Sequence, residues 1–187
     1  RYDGVSSSDK FVIGTLQKYF DTVAYCPETI IWGSPRTAVR QVQSESGDLR
    51  IMTSTKDPID VTAELEEISI KCANKIQDDD LCGFILKSSS PTCGLERVKV
   101  YKPFNAPSVK QGVGVFAKQI KEKYPYLPVE EEGRLIDAWL RENFLMQIFA
   151  YEDVHKFLKS NPSLNDLVIF HTSYKYLIYS KSQKSYT

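Results

Sequence analysis

Two short runs, Cys26-Pro27-Glu28 and Ser90-Pro91-Thr92-Cys93-Gly94, each set a thiol among polar neighbours beside a proline that interrupts regular structure. A cysteine thiolate is a soft donor: it can ligate a metal or an iron–sulfur cluster or pair with a second thiol, and an unreactive cysteine packs as a small hydrophobe. Spacing along the chain leaves all three open. Glu28 adds a carboxyl that can carry a proton, with a raised pKa if it lies against an apolar wall such as Trp32. Its bland counterpart is a solvated loop glutamate. Ser90 adds a hydroxyl that could bond a substrate or orient water, although a serine before proline often caps its own backbone in a turn.

Other groups offer weaker chemistry. His155 and His171 lack a metal-ligand spacing such as i and i+4, which favours packing or surface roles. Gly112 and Gly114 resemble a fragment of a phosphate loop, but no third glycine follows at dinucleotide-binding spacing, so they read as a turn before a helix. From residue 167 to the end, lysines 175, 181 and 184 interleave with tyrosines 174, 176, 179 and 186, a composition compatible with phosphate contacts and base stacking. A solvated helix end is the reading favoured there. Cys72 and Cys82 fit a helix face and a buried strand.

The elements expected to position these residues alternate between helix and strand. Phe11, Val12, Thr15, Leu16, Tyr19 and Phe20 recur at helical spacing behind Ser8, the expected N-cap. Residues 22–25 read as a strand delivering Cys26 to its end, and 38–42 with 49–52 as a hairpin turning near Gly47. Asp57 as N-cap and Pro58 at the first helical position open a helix whose inner face carries Leu65, Ile68, Cys72 and Ile76. A buried strand over 81–87 then feeds the Cys93 run. Residues 97–101 alternate like a strand, 102–112 read as a loop, and 113–124 as a helix. This alternation predicts an α/β fold with a mainly parallel sheet flanked by helices. Two longer helices, 137–159 and 164–180, follow, broken by Asn161-Pro162 and opened by Ser163 with Asp166 three residues on. The expected domains are an α/β domain over 1–135 and a partial helical domain over 136–187.

Bulk properties narrow the classes. The chain has 187 residues, 42% of them hydrophobic and 26% charged, enough to bury a core. Lys plus Arg and Asp plus Glu each number 24, which gives no global attraction to a polyanion or an anionic membrane. Apolar runs fall far short of the roughly 20 residues that span a bilayer, and no signal-peptide pattern opens the sequence, so the expected location is cytoplasmic with no membrane partner. Four cysteines at 26, 72, 82 and 93 do not form the dense framework of a disulfide-stapled domain.

A set of ordered motifs goes further: Arg1-Tyr2-Asp3-Gly4, Cys26-Pro27-Glu28, Ser34-Pro35-Arg36, Ile85-Leu86-Lys87, Ser90-Pro91-Thr92-Cys93-Gly94 and Pro128-Val129-Glu130-Glu131-Glu132-Gly133-Arg134-Leu135. Together they resemble the thiouracil desulfidase family. The segment from about 137, with Arg141-Glu142-Asn143-Phe144 and Phe170-His171, is similar to the start of the helical domain fused to the tRNA 4-thiouridine desulfidase branch. The resemblance implies a [4Fe-4S] cluster held by three cysteines, with Cys26 and Cys93 as two ligands. It places Glu28 as proton shuttle and Ser90 as hydrogen-bonding helper beside a thiolated uracil in base, nucleoside or tRNA. It also implies a third cluster cysteine ahead of Arg-Tyr-Asp-Gly, in a strand that this sequence lacks, so that the chain as it stands would be short of a ligand. Two other functions fit the residues alone: an RNA-binding module with structural cysteines, or a thiol redox protein using Cys26 and Cys93.

Overall fold

The computed structural model describes residues 2–4, 8–103 and 106–182; Arg1, Lys184 and Tyr186 of the motifs above lie outside the described residues. The first helix, α1 (Lys10–Gly14), is capped by Asp9 and not by Ser8: the Asp9 carboxylate accepts from the amides of Phe11 and Val12 at 2.9 and 3.0 Å. A 3-10 turn, Leu16–Lys18, follows it. Residues 22–25 form no strand, although their types favour one. They run without a ladder partner to Cys26, the extended N-cap of a short helix α2 (Pro27–Trp32) with Pro27 at its first position.

The hairpin forms as expected: β1 (Val39–Gln43) pairs antiparallel with β2 (Leu49–Thr53), and Gly47 takes the left-handed conformation in its turn. The next helix, α3 (Thr62–Lys75), begins later than Asp57-Pro58 suggests. Residues 59–61 are instead drawn along β2, with Thr53 donating its amide to the Ile59 carbonyl and Val61 donating to Ile51, both at 2.9 Å. Then come β3 (Phe84–Leu86), β4 (Val98–Tyr101), β5 (Val109–Gly112), α4 (Val115–Lys123) and β6 (Val129–Glu131). The strands β5 and β6 were not expected; both are short, and neither alternates in hydrophobicity.

The α/β class holds, with mixed sheets whose parallel pairings are central. The larger sheet runs β2-β1-β4-β5, with β1 parallel to β4 and the flanking pairs antiparallel; the second joins β3 and β6 in parallel. Leu65, Cys72 and Ala73 of α3, Ile76 just beyond it, and Phe116, Ala117 and Ile120 of α4 are buried, and α3 packs on α4. Each large apolar side chain buried there stabilises the fold by about 1.5–3 kcal/mol. A second apolar cluster unites Leu135, Phe144 and Ile148 with Phe11, Phe20, Cys82, Ile85 and Leu145.

Helices α5 (Ala138–Lys159) and α6 (Leu164–Lys181) follow the α/β elements, and α6 begins with the full Ser163–Asp166 capping box. The chain forms two compact units, Arg1–Ile148 and Phe149–Thr187. Inside the second, Phe157 stacks on Phe170 at 4.4 Å, and the Tyr174 hydroxyl donates to Asp153 at 2.6 Å. Burial first, and then that carboxylate, push the Tyr174 phenol up to about 12.

Candidate active site around Cys26 and Cys93

Cys26 ends an extended segment, and Pro27 turns the chain immediately into α2, which points Glu28 inward one residue later. Glu28 is buried with both carboxylate oxygens engaged. Oε2 accepts from Arg36 Nε at 3.0 Å and Nη2 at 2.9 Å, and Oε1 accepts from Thr92 Oγ1 at 2.5 Å. Arg36 also reaches Cys26, with Nη2 at 3.9 Å from its sulfur, and donates through Nη1 to Thr29 Oγ1 and the Gly33 carbonyl, both at 3.3 Å. Thr29 in turn donates to Cys26 Sγ at 3.0 Å. The Tyr2-Asp3-Gly4 turn lies alongside, because the Arg36 amide donates to the Tyr2 carbonyl at 2.6 Å.

Thr92 carries this network into the second run. Ser90 Oγ accepts the amides of Thr92 at 3.2 Å and Cys93 at 3.1 Å, a turn closed by Gly94 donating to the Ser90 carbonyl at 2.8 Å. The start of α4 completes the scaffold: the amides of Phe116 and Ala117 donate to the Thr92 carbonyl at 2.8 and 3.3 Å, giving helix-end donors their acceptors. Gln41 adds its amide nitrogen to the Pro91 carbonyl at 2.9 Å. Two glycines make these approaches feasible. A Cβ on Gly114 would sit 2.4 Å from the Thr92 carbonyl oxygen, and one on Gly94 would sit 2.4 Å from the Val98 side chain.

Cys26, Glu28, Ser90 and Cys93 are therefore brought into one hydrogen-bonded cluster, through Arg36 and Thr92. Cys93 is half-buried by surface yet closely ringed by protein atoms. Burial, followed by the charges of Glu28 and Cys26, pushes its thiol up, while the Ser90 hydroxyl bond and Arg36 oppose that. The same Cys26 charge, after burial, also raises the Cys72 thiol. Cys72 thus lies within electrostatic reach of the cluster, although its buried position on α3 fits the expected core role. Cys82 packs with Leu135 and Phe144.

The profile of the 2-thiouracil desulfurase family matches residues 1–132. The chain belongs to that family. No curated protein and no solved structure matches the chain. In this 2-thiouracil desulfurase relative both cysteine runs and the Ser34-Pro35-Arg36 motif lie inside the matched span, and Arg36 and Thr92 link the two runs. Sequence reasoning gave Arg36 and Thr92 no role, although both stood inside the motifs. Only the fold shows that they join the two runs.

Cys26 and Cys93 are donors of the type an iron–sulfur cluster takes. Among the described residues, however, no group of three His, Cys, Asp or Glu side chains could hold a metal ion. The two thiolates supply only part of the ligand set such a cluster takes. No helix among the described residues is long and apolar enough to cross a membrane.

Proposed function

We propose that this chain is a desulfidase that replaces the sulfur of a thiolated uracil with oxygen from water. The reaction balances without oxidant or reductant: water adds its oxygen to the thiocarbonyl carbon, the carbon–sulfur bond breaks, and the two protons of water leave with sulfur as hydrogen sulfide. A bound [4Fe-4S] cluster would supply a soft Lewis acid for the departing sulfur, with Cys26 and Cys93 as two of its thiolate ligands.

The observation that carries the reading is the hydrogen-bonded chain from Cys26 through Arg36, Glu28 and Thr92 to the Cys93 turn. It puts a carboxylate between two sulfurs. A carboxylate has about four lone-pair positions, so Glu28 keeps acceptor capacity for an attacking water while Arg36 and Thr92 fix its plane. Ser90 is held by two backbone amides and turns its hydroxyl towards Cys93, where it can serve either the sulfur or a substrate atom.

The test is anaerobic treatment of the full-length protein with iron and sulfide, then incubation with 4-thiouracil, 4-thiouridine and thiolated tRNA, following sulfide release and loss of thiocarbonyl absorbance. At least one substrate should convert to its oxo product, and Cys26→Ala and Cys93→Ala should each abolish conversion. Full turnover without either thiol would overturn the assignment. Salt-sensitive tRNA binding without sulfide release would favour an RNA-binding module instead.

A further inference from the structure

The acidic triplet Glu130-Glu131-Glu132 contributes no group to the cluster described above. The carboxylates of Glu131 and Glu132 turn to the loop that carries Ser90 and Cys93, and Glu130 reaches it only through Arg134. At the start of the loop, Glu132 Oε2 accepts the Ser88 amide at 2.7 Å, and its Oε1 accepts the Ser88 hydroxyl at 2.9 Å together with the Lys87 ammonium. At the far end, Glu131 Oε1 accepts the Leu95 amide at 2.6 Å and the Glu96 amide at 3.5 Å. Glu130 binds Arg134 Nε at 2.7 Å, and Arg134 pairs with the Glu96 side chain.

The backbone sets these acceptors at both ends at once. Leu86 is the register partner of Glu131 across β3 and β6, and the Glu132 amide donates to the Leu86 carbonyl at 3.1 Å. Successive residues at the end of one strand thus hold residue 88 and residues 95–96, with the Ser90–Gly94 turn between. Gly133 keeps the approach open, since a Cβ there would stand 3.1 Å from Ser88 Oγ.

Glu131 and Glu132 are 5% and 8% exposed. Burying carboxylates is costly unless their oxygens are well bonded, and an apolar pair would hold β3 to β6 without that cost. What charged acceptors add is direction, because hydrogen bonds to an ionised group are shorter and stronger than neutral ones. We propose that Glu131 and Glu132 are positioning residues: they clamp the two ends of the 88–96 loop and thereby fix where Cys93 Sγ and Ser90 Oγ stand relative to Glu28. The inference rests on reading that cluster as the working site.

The test is thiol alkylation of the chelator-treated protein, with Cys26, Cys72, Cys82 and Cys93 resolved by mass spectrometry. Cys26 reports the other half of the site, and buried Cys72 reports global opening. Glu131→Ala and Glu132→Ala should speed alkylation of Cys93 about tenfold or more, with Cys26 and Cys72 within about twofold of wild type, because lost charge-assisted bonds shift a local opening equilibrium by that order. Ser88→Ala, which removes only one hydroxyl, should give a smaller rise at Cys93 alone and decides the matter if the glutamate variants do not fold. Glu122→Ala, on the exposed side of α4, should change none of the four. Unchanged Cys93 labelling would overturn the clamp, as would equal rises at Cys93, Cys26 and Cys72, the mark of a merely structural role. If wild type releases no sulfide from any thiolated pyrimidine, the desulfidase reading fails, while the labelling pattern still decides the clamp.

Discussion

Glu28 and Arg36 form an ion pair whose side chains are only 12% and 7% exposed, so each is held in place by the other's charge. Removing one partner from such a pair costs about 3–5 kcal/mol, because the remaining charge is left without compensation. Arg36→Leu should therefore destabilise the fold by that order in urea titration. The double variant Glu28→Gln with Arg36→Leu should cost clearly less than the sum of the single changes. Thr92→Val removes the donor to the other Glu28 oxygen and should cost about 1–3 kcal/mol, together with a fall in kcat. Glu132 gives a pH signature. Burial would raise its carboxyl, but the bonds from Lys87 and from the Ser88 amide and hydroxyl outweigh burial and hold it below its ordinary value of 4.5. The stability it contributes is therefore complete above 4.5 and is lost as pH falls through the lower folded value. Glu132→Gln should flatten that part of the stability–pH curve, and denaturant midpoints measured on either side of 4.5 would check it.

Among the elements, Gly114 is the position where local sequence and site geometry meet most directly. A methyl group there would lie 2.4 Å from the Thr92 carbonyl oxygen and 2.7 Å from the Cys93 amide nitrogen, both backbone atoms that cannot swing aside. Gly114→Ala should cost about 1–3 kcal/mol and displace the Cys93 turn, so kcat should fall more than KM rises. Reading Gly112 and Gly114 as a turn before a helix located α4, which starts at Val115, although Gly112 itself ends β5; what Gly114 is for depends on the Thr92–Cys93 turn some twenty residues upstream. The same division recurs along the chain. The β1–β2 hairpin, α4, α5 and the α6 capping box were legible because their signals are local: apolar periodicity, a turn glycine, a serine with an acid three residues on. The segment 22–25 has strand-forming residues but no partner, while Val129-Glu130-Glu131 pairs with β3 despite two charged side chains. Strand identity in those places is set by neighbours distant in sequence. So is the start of α3, where β2 captures residues that would otherwise open the helix. At the site, residue types marked Cys26, Glu28, Ser90 and Cys93, but not Arg36 and Thr92, whose importance lies in the contacts they bridge.

For the molecule as a whole, charge separates the possible substrates. Equal numbers of acidic and basic residues, 24 of each, leave no long-range field to gather a polyanion, so any phosphate contact must be made by a local group of cations. A free thiolated base carries no phosphate, and kcat/KM for 4-thiouracil should be nearly flat with added salt. A thiolated tRNA would release about 0.7–0.9 counterions per phosphate contact, so the slope of log kcat/KM against log salt counts those contacts. In the second unit, Lys175, Tyr176, Tyr179 and Lys181 lie on α6, and Tyr174 donates to Asp153 and packs on Phe170. If this unit grips RNA, Lys175→Ala with Lys181→Ala should lower the tRNA slope by roughly one to two and leave turnover of 4-thiouracil unchanged. Equal slopes for base and tRNA would mean that the site takes the thiolated ring alone and that α6 contributes nothing to substrate capture.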